Sequence, residues 1–387
     1  MAIAREWAKL GHRVVVISSN ANHLTGNRQQ KAAIENWHSA GVCMVRLRSR
    51  RYTRTASAER VISWIDFEWR LLTADLRHLP TPDIVIASSL SLLSVVSAHV
   101  IARRYRCPWV FEVRDIWPLT LIEEGGISKW HPFSIVLSGI ERFGYKYAAL
   151  TVGTMPNLVA HVRSVVSSPV KVACIPFGFD PAAAPDPLLI QTKDALGRSL
   201  TVGYAGSIGL SNALDTIVRC ARQLKNDNRF RFVFAGDGDQ RLAYMEMTRD
   251  CPNITWLGSL PRTEVHAHLS SCNLLYFATH KSKVWEYGLS LNKLTDYLLS
   301  ARPVLGSYSG FPSIIDEAGC GLSVPAADEV ALVHALHKFL ATSPEELLQM
   351  GERGRRWLFE NRTWARLAAD YLEQLELVGA SQGGRKS

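Results

Sequence analysis

Short apolar runs alternate with amphipathic stretches along nearly the whole chain. Val14-Val15-Val16-Ile17, Val42 to Arg48, Asp83 to Ala87, Trp109 to Val113, Ala149 to Gly153 and Val172-Ala173-Cys174-Ile175 are runs of strand length. Between them lie helical patterns. Met1 to Leu10 spaces Ile3, Trp7 and Leu10 along one face before Gly11-His12 ends it. Residues 57–78 read as a long helix with Val61, Ile62, Ile65 and Leu72 as its apolar stripe. Leu90 to Arg104 and residues 133–148 are helical, and Pro156-Asn157 starts a further helix. Continuous apolar strands alternating with helices predict parallel sheets covered on both faces. The opening departs from this order, because a doubly wound domain normally starts on a strand and a glycine turn. Either the fold begins on a helix or its first strand is missing from this sequence, through a mis-started frame or through real loss of activity.

The segment Asp180 to Pro187, DPAAAPDP, reads as a linker. A second series then begins with the strand Leu200 to Ala205 and the turn Gly206-Ser207-Ile208-Gly209. A helix from Asn212, the strand Phe230 to Ala235, the turn Gly236-Asp237-Gly238, a helix from Gln240 and the strand Ile254 to Leu257 follow. Leu274 to Phe277, Val304 to Gly306 and Gly321 to Val324 complete the strands. Ser343-Pro344-Glu345-Glu346 has the spacing of a helix cap with proline at the first position. The expected division is 1–180, 181–363, a last helix over 364–380 and a disordered tail over 381–387. The fold class is α/β, with two doubly wound parallel-sheet domains.

The chain has 387 residues, enough for about two domains. No apolar run reaches the length of a spanning helix, and no secretory signal opens the chain. The seven cysteines lie far apart without a C-x-x-C pair, which predicts reduced thiols and no zinc site. A cytoplasmic location is expected. Charge is uneven: residues 1–180 hold 22 Lys and Arg against 13 Asp and Glu, while residues 181–387 hold 22 of each. Only the first half is suited to an anionic surface or substrate. Within it, Arg46 to Arg54 carries five arginines in nine residues, including Arg48 and Arg50. Such a run is either a solvated loop or an anion-facing edge. It lacks the aromatic platforms of nucleic-acid binding, so no nucleic-acid partner is expected.

The most informative stretch runs from Ser270 to Ser307. Asn292-Lys293-Leu294-Thr295-Asp296-Tyr297-Leu298 opens a short helix that Arg302-Pro303 stops. Asn292 has the chemistry of an N-cap. Lys293 falls in the first turn, where the helix dipole disfavours a cation unless an anion is also bound there. It either points into water or holds a phosphate. Asp296 shares its face three residues later. It either pairs with Lys293 or accepts from ribose hydroxyls, two of which match a carboxylate's two oxygens. The glycine turns at 206, 236 and 258 each follow a strand, and either make ordinary tight turns or admit a ligand close to the backbone. Gly236-Asp237-Gly238 lacks the spacing of a dinucleotide fingerprint. Asp115 follows a strand end, where open α/β sheets bind ligands.

Residues 111–118 (FEVRDIWP), 204–209 (YAGSIG), 234–238 (FAGDG) and 287–298 (YGLSLNKLTDYL), in that order, resemble the family-four retaining glycosyltransferases of GT-B fold. The nearest resemblance is to those that build bacterial surface polysaccharides such as O-antigen, capsule and exopolysaccharide. It implies an acceptor-binding first domain, a donor-binding second domain, and a final helix crossing back onto the first. It implies a nucleotide-sugar co-substrate, with a UDP-sugar expected, and no metal. By resemblance, Gly206 and Ser207 approach the donor diphosphate, and Lys293 stabilises the charge on the departing diphosphate. Asp296 binds the ribose, Asn292 and Leu294 flank these two, Gly236 and Gly238 line the nucleotide cleft, and Leu257 to Leu260 border the base. Asp115 stands near the acceptor and the reacting sugar, with Arg114, Arg48 and Arg50 facing acceptor or membrane. The family's first glutamate, eight residues before Asp296, is Gly288 here, and Glu286 is out of register.

The expected function is sugar transfer to a saccharide acceptor, lipid-diphosphate-linked, at the inner face of the cytoplasmic membrane. The alternatives are a nucleotide-sugar 2-epimerase of similar fold and a degenerate sugar-nucleotide-binding protein.

Overall fold

A computed structural model of the chain describes residues 1–21, 33–52, 57–89, 91–185 and 199–383. Thr53 and Arg54 of the arginine run, Leu90, the end of the 180–187 linker and the tail from 384 lie outside the described residues. The chain divides into two compact units, Met1–Pro176 with Trp364–Ser387, and Phe177–Thr363.

In the first unit the elements are α1 (Ala2–Lys9), β1 (Val15–Ser19), β2 (Ile34–Ser39), β3 (Val42–Leu47), α2 (Ala58–Thr73), β4 (Val85–Ser88), α3 (Ser94–Tyr105) and β5 (Trp109–Val113). Then come α4 (Leu119–Glu123), α5 (Pro132–Tyr147), β6 (Leu150–Gly153), α6 (Leu158–Val165) and β7 (Val172–Cys174). The strands form two sheets, β1-β3-β2 and β4-β5-β6-β7. The second is wholly parallel. In the first, β2 pairs antiparallel to β3. Sequence reading misses β2. A two-residue hairpin turn needs positive φ at both central positions and normally advertises itself as Asn-Gly or Gly-Gly. Here Ala40 (φ 50°) precedes Gly41 (φ 79°), so half of that signal is hidden.

Alternation along β5 sends residues to opposite faces of its sheet. Phe111 packs on Tyr145 of α5, and a Cβ on Gly144 would overlap the Phe111 ring and crowd Val95 of α3. That glycine is what lets α5 lie close to the sheet. On the other face, Val110, Leu150 and Val152 join a core with Trp7 of α1.

Two helices end differently from expectation. The helix expected over 57–78 stops at Thr73, because Ala74 turns extended (ψ 141°). Its stripe is also not buried: α2 turns Ser63 and Glu68 inward and leaves Ile62, Ile65 and Trp69 exposed. The N-terminal boundary of α3 moves from Leu90 to Ser94, behind a turn in which the Ser94 hydroxyl donates to the Ser91 carbonyl.

In the second unit are β8 (Leu200–Ala205), α7 (Asp215–Gln223), β9 (Phe230–Ala235), α8 (Arg241–Met247), β10 (Ile254–Gly258), α9 (Arg262–Ser271), β11 (Leu274–Ala278) and α10 (Asn292–Leu299). They are followed by β12 (Val304–Ser307), α11 (Ile314–Ala318), β13 (Gly321–Val324), α12 (Glu329–Ala341) and α13 (Pro344–Asn361). Six parallel strands stand in the order β10-β9-β8-β11-β12-β13. Every residue of β11 and β12 is buried, as a central strand under helices on both faces requires. Ser343 caps α13 by accepting from the Glu346 N–H at 3.2 Å. The strand order reverses at β8, between β9 and β11. Ligands of such sheets bind outside the carboxyl ends at that reversal.

The last helix, α14 (Trp364–Gly383), returns to the first unit. The Trp7 indole N–H donates to the Ala368 carbonyl at 2.9 Å, and Trp7 meets Tyr371 edge-on. Neither proline nor a charge block interrupts Ser381-Gln382, so α14 extends past the expected boundary at 380.

Candidate active site

The turns after β8, β9 and β10 are laced together through their backbones. Gly206 N–H donates to Ala235 O at 3.0 Å, Ile208 N–H to Asp237 O at 2.8 Å, and Gly236 N–H to Gly258 O at 2.7 Å. Gly236 sits at φ +136°, and a Cβ there would lie 1.7 Å from the Gly206 carbonyl oxygen. Only glycine fits, both for its dihedral and for the contact. Beside these turns opens a pocket of about 290 Å³ lined by Gly206, Ser207, Gly236, Asp237, Ser259 and Leu260, among others.

Helix α10 is fixed against the same strand ends by Tyr297. Its buried hydroxyl accepts from Ala205 N–H at 3.2 Å and donates to Tyr276 O at 3.1 Å, bridging β8 and β11. The first turn of α10 therefore stands at the strand-order reversal. There Lys293 turns inward. Its Nζ donates to the Tyr204 hydroxyl at 3.2 Å and to the Asn212 side-chain oxygen, and lies over the Tyr204 ring. The Tyr204 hydroxyl in turn donates to Ser207 O at 2.6 Å. One tyrosine thus ties the lysine to the pocket's glycine turn. Among the described residues Lys293 meets only neutral oxygens, and burial lowers its pKa to about 8. A buried cation without a carboxylate partner is costly unless an anion joins it.

Lys293 does not pair with Asp296. Asp296 faces α9 instead, with Arg262 Nη2 at 3.4 Å and His266 Nε2 at 3.6 Å. Burial holds His266 below the usual histidine range, although Asp296 pulls the other way. Asp296 keeps about a fifth of its side chain accessible.

The structure bears on four sequence assignments. Asn292 is the first residue of α10 rather than its cap; Leu291, extended at ψ 125°, takes that position without a side-chain bond. Leu294 is buried in the core and its N–H already donates to Leu291 O at 3.1 Å, so it offers a ligand little. Within Leu257 to Leu260, Leu257 is 45% exposed, while Ser259 and Leu260 line the pocket. Gly238 lies outside the lining and serves the turn, since a Cβ there would press on the Ile208 carbonyl at 2.4 Å. Sequence reading missed Tyr204 and Asn212 as partners of Lys293, and Arg262 and His266 as partners of Asp296. Nothing in spacing alone links residues 81 and 89 positions apart.

In the first unit, Asp115 stands exposed just past β5, yet its packed surroundings raise its carboxyl pKa. The Trp117 side chain and the charges of Arg114 and Arg60 act against that rise. Arg114 is held by its N–H to Ser89 Oγ at 3.1 Å and lies 3.5 Å from Glu112. Arg48 and Arg50 are exposed at the end of β3, and the Arg50 N–H donates to Asp66 of α2 at 2.7 Å.

Comparison with known proteins agrees with this fold. Residues 1–178 match the family model described as glycosyl transferase 4-like domain, and residues 199–342 match glycosyl transferases group 1. A search of curated proteins gave no match. Among solved structures, a sucrose-phosphate synthase of Thermosynechococcus elongatus aligns over 98% of this chain and 92% of its own, with TM-score 0.70 at 15% identity. The UDP-forming α,α-trehalose-phosphate synthase of Burkholderia vietnamiensis covers 95% and 99%, with TM-score 0.67 at 14% identity. HepE of Anabaena in complex with UDP covers 84% and 85%, with TM-score 0.61 at 12% identity. With both halves matched in order by glycosyltransferase family models, this chain is a GT4-like glycosyltransferase of the GT-B fold.

Proposed function

We propose that the second unit binds a nucleotide-diphosphate sugar, a UDP-sugar in the first instance, and that its sugar passes to a hydroxyl of a saccharide acceptor. The observation that carries this reading is Lys293, half-buried without an acidic partner at the first turn of α10 and joined through Tyr204 to the Gly206-Ser207 turn. In the transfer, the bond between the anomeric carbon and the diphosphate oxygen breaks, and one to the acceptor oxygen forms. The acceptor proton leaves with a base or with the departing diphosphate. Lys293 offsets the charge that grows on the diphosphate, an interaction stronger in the transition state than before it. No metal ion is assigned to that task. Gly206 and Gly236 leave room for phosphate oxygens beside the backbone, and Asp296 accepts from the ribose. Asp115 serves the acceptor side, and the anomeric configuration is retained. HepE with bound UDP supports the choice of base.

The acceptor is a saccharide on a lipid diphosphate, and the pathway is bacterial surface polysaccharide synthesis at the inner membrane face. The excess of Lys and Arg confined to residues 1–180 supports this. Thermal shift with UDP-, GDP-, ADP- and dTDP-sugars tests the donor. Tight binding raises the midpoint according to the ratio of ligand concentration to Kd. Lys293→Ala should abolish the shift; an undiminished shift refutes the phosphate assignment. Turnover that requires a free sugar phosphate and ignores a polyprenyl-diphosphate saccharide would refute the acceptor. Nucleotide-sugar epimerisation without any acceptor would replace transfer altogether.

A further inference from the structure

Asp296, the carboxylate assigned to the donor ribose, has two basic neighbours on α9, and they differ in kind. The Arg262 side chain is 83% exposed, so its approach at 3.4 Å is screened by water and salt and fixes little. His266 keeps only 19% of its side chain accessible, and Val265 beside it lines the pocket. Both basic groups approach the same oxygen, Oδ1. Among the described residues Oδ2 has no side-chain partner.

The His266 ring adds a second observation. Its Nδ1 is buried and, among the described residues, meets no hydrogen-bond partner. A proton there would be an orphaned donor, and it would turn the Nε2 lone pair onto the Asp296 carboxylate. The neutral ring therefore carries its proton on Nε2, facing Oδ1. Burial favours the neutral ring against the pull of Asp296, and the charges of Arg262 and of Arg355 on α13 also oppose a second proton. At 3.6 Å the pair stands just beyond hydrogen-bond length, and contacts of this kind tighten as substrate seats.

From this geometry we propose that His266 is a positioning residue for Asp296: its Nε2–H anchors Oδ1 and leaves Oδ2 to accept from the donor ribose. An unanchored aspartate on a helix surface turns about two side-chain torsions. A half-buried neutral donor removes that freedom without bringing a charge that would compete with the ribose for the carboxylate. The proposal rests on the reading of Asp296 as the ribose acceptor.

Calorimetric titration of the full chain with UDP and with 2′,3′-dideoxy-UDP, which lacks both ribose hydroxyls, tests it beside steady-state kinetics. The unaltered protein should prefer UDP, and Asp296→Ala should lose that preference. His266→Leu should narrow the preference by about threefold or more and raise donor KM to a similar degree, with kcat little changed. His266→Gln, whose amide nitrogen reaches the place of Nε2, should recover both quantities. His266→Asn, whose shorter amide stands nearer the place of Nδ1, should not. In the Asp296→Ala background, His266→Leu should have no further effect, because it acts through the missing carboxylate. An undiminished preference in His266→Leu, or effects that add to those of Asp296→Ala, would overturn the proposal and leave the ribose reading standing. An equal loss of both nucleotides in His266→Leu would also overturn it, by assigning the histidine to the fold alone. Equal binding of the two nucleotides by the unaltered protein, or binding of neither, overturns the ribose reading and the proposal with it.

Discussion

The two units are built from the same strand and helix alternation, yet they keep their exceptions in opposite places. In the second unit the unusual features lie inside. Gly236 meets the Gly206 backbone, and Lys293 is half-buried against a tyrosine and an asparagine. In the first unit they lie outside, as apolar and basic side chains on α2, α3 and α5. An interior exception costs stability and persists when a ligand offsets the cost. An exterior exception costs the fold almost nothing and speaks of an encounter with another surface. The same α/β scaffold therefore keeps its exceptions in a pocket in one unit and on a surface in the other.

The sharpest way to break this contrast is at Gly236. Gly236→Ala places a Cβ into the Gly206 carbonyl and forces a non-glycine residue to φ +136°. Denaturant unfolding should show a loss of roughly 3 kcal/mol or more, with donor binding lost as well. A loss under about 0.5 kcal/mol would mean that the turns are not packed as described.

Next in size is Lys293→Ala. The folded chain should remain, with kcat/KM reduced about 10²–10³-fold, the usual cost of removing one preorganised charge-stabilising donor. Restoration by arginine is not expected, since a planar fork does not fit where an ammonium meets two oxygens. Full activity in the presence of a chelator would accord with a lysine in that role, and abolition by EDTA would contradict it.

The same residue gives a pH signature. Burial lowers the Lys293 pKa in the folded state to about 8, below the ordinary lysine value of 10.5. Between these values the unfolded chain binds more protons than the folded one, so stability contributed by this group rises with pH across that window. Donor binding moves oppositely and weakens above pH 8 as the free enzyme loses the ammonium. Unfolding and donor titrations from pH 7 to 10, compared with Lys293→Met, check both slopes. Slopes identical in the variant would assign the effect elsewhere.

A smaller effect belongs to the carboxylate that faces α9. Asp296→Ala should raise donor KM by about tenfold, the worth of one or two hydrogen bonds to ribose, with kcat little changed. A fall in kcat alone would move Asp296 from donor binding to chemistry. The smallest effect is expected on the outer face of the first unit. Trp69→Ser and Ile65→Ser should alter stability by no more than about 0.5 kcal/mol, because these side chains are exposed. A loss of several kcal/mol at either position would show it to be core and erase the contrast.

Much of this was legible in the residues themselves. The strands of both units follow from apolar runs, and the glycine turns from their positions after β8, β9 and β10. Lys293 was conspicuous because a cation opens a helix. The errors have physical sources. Strand β2 was hidden because Ala40 occupies a left-handed position that sequence assigns to glycine or asparagine. The exposure of the α2 stripe is not legible in the sequence, because periodicity shows that a helix is amphipathic, not which side meets protein. The chemistry of Asn292 permits a cap, while the backbone at Leu291 already provides the turn.

What the sequence determined by itself is local and periodic: the α/β alternation, the glycines that permit close backbone approach, and an unbalanced charge between the halves. The tertiary structure alone decided the partners. Lys293 could have bonded to Asp296 one turn away, but Tyr297 locks α10 against β8 and β11, and that orientation delivers the lysine to Tyr204 and Asn212. It leaves Asp296 to Arg262 and His266. Periodicity fixes which residues share a face, and only packing fixes what that face meets.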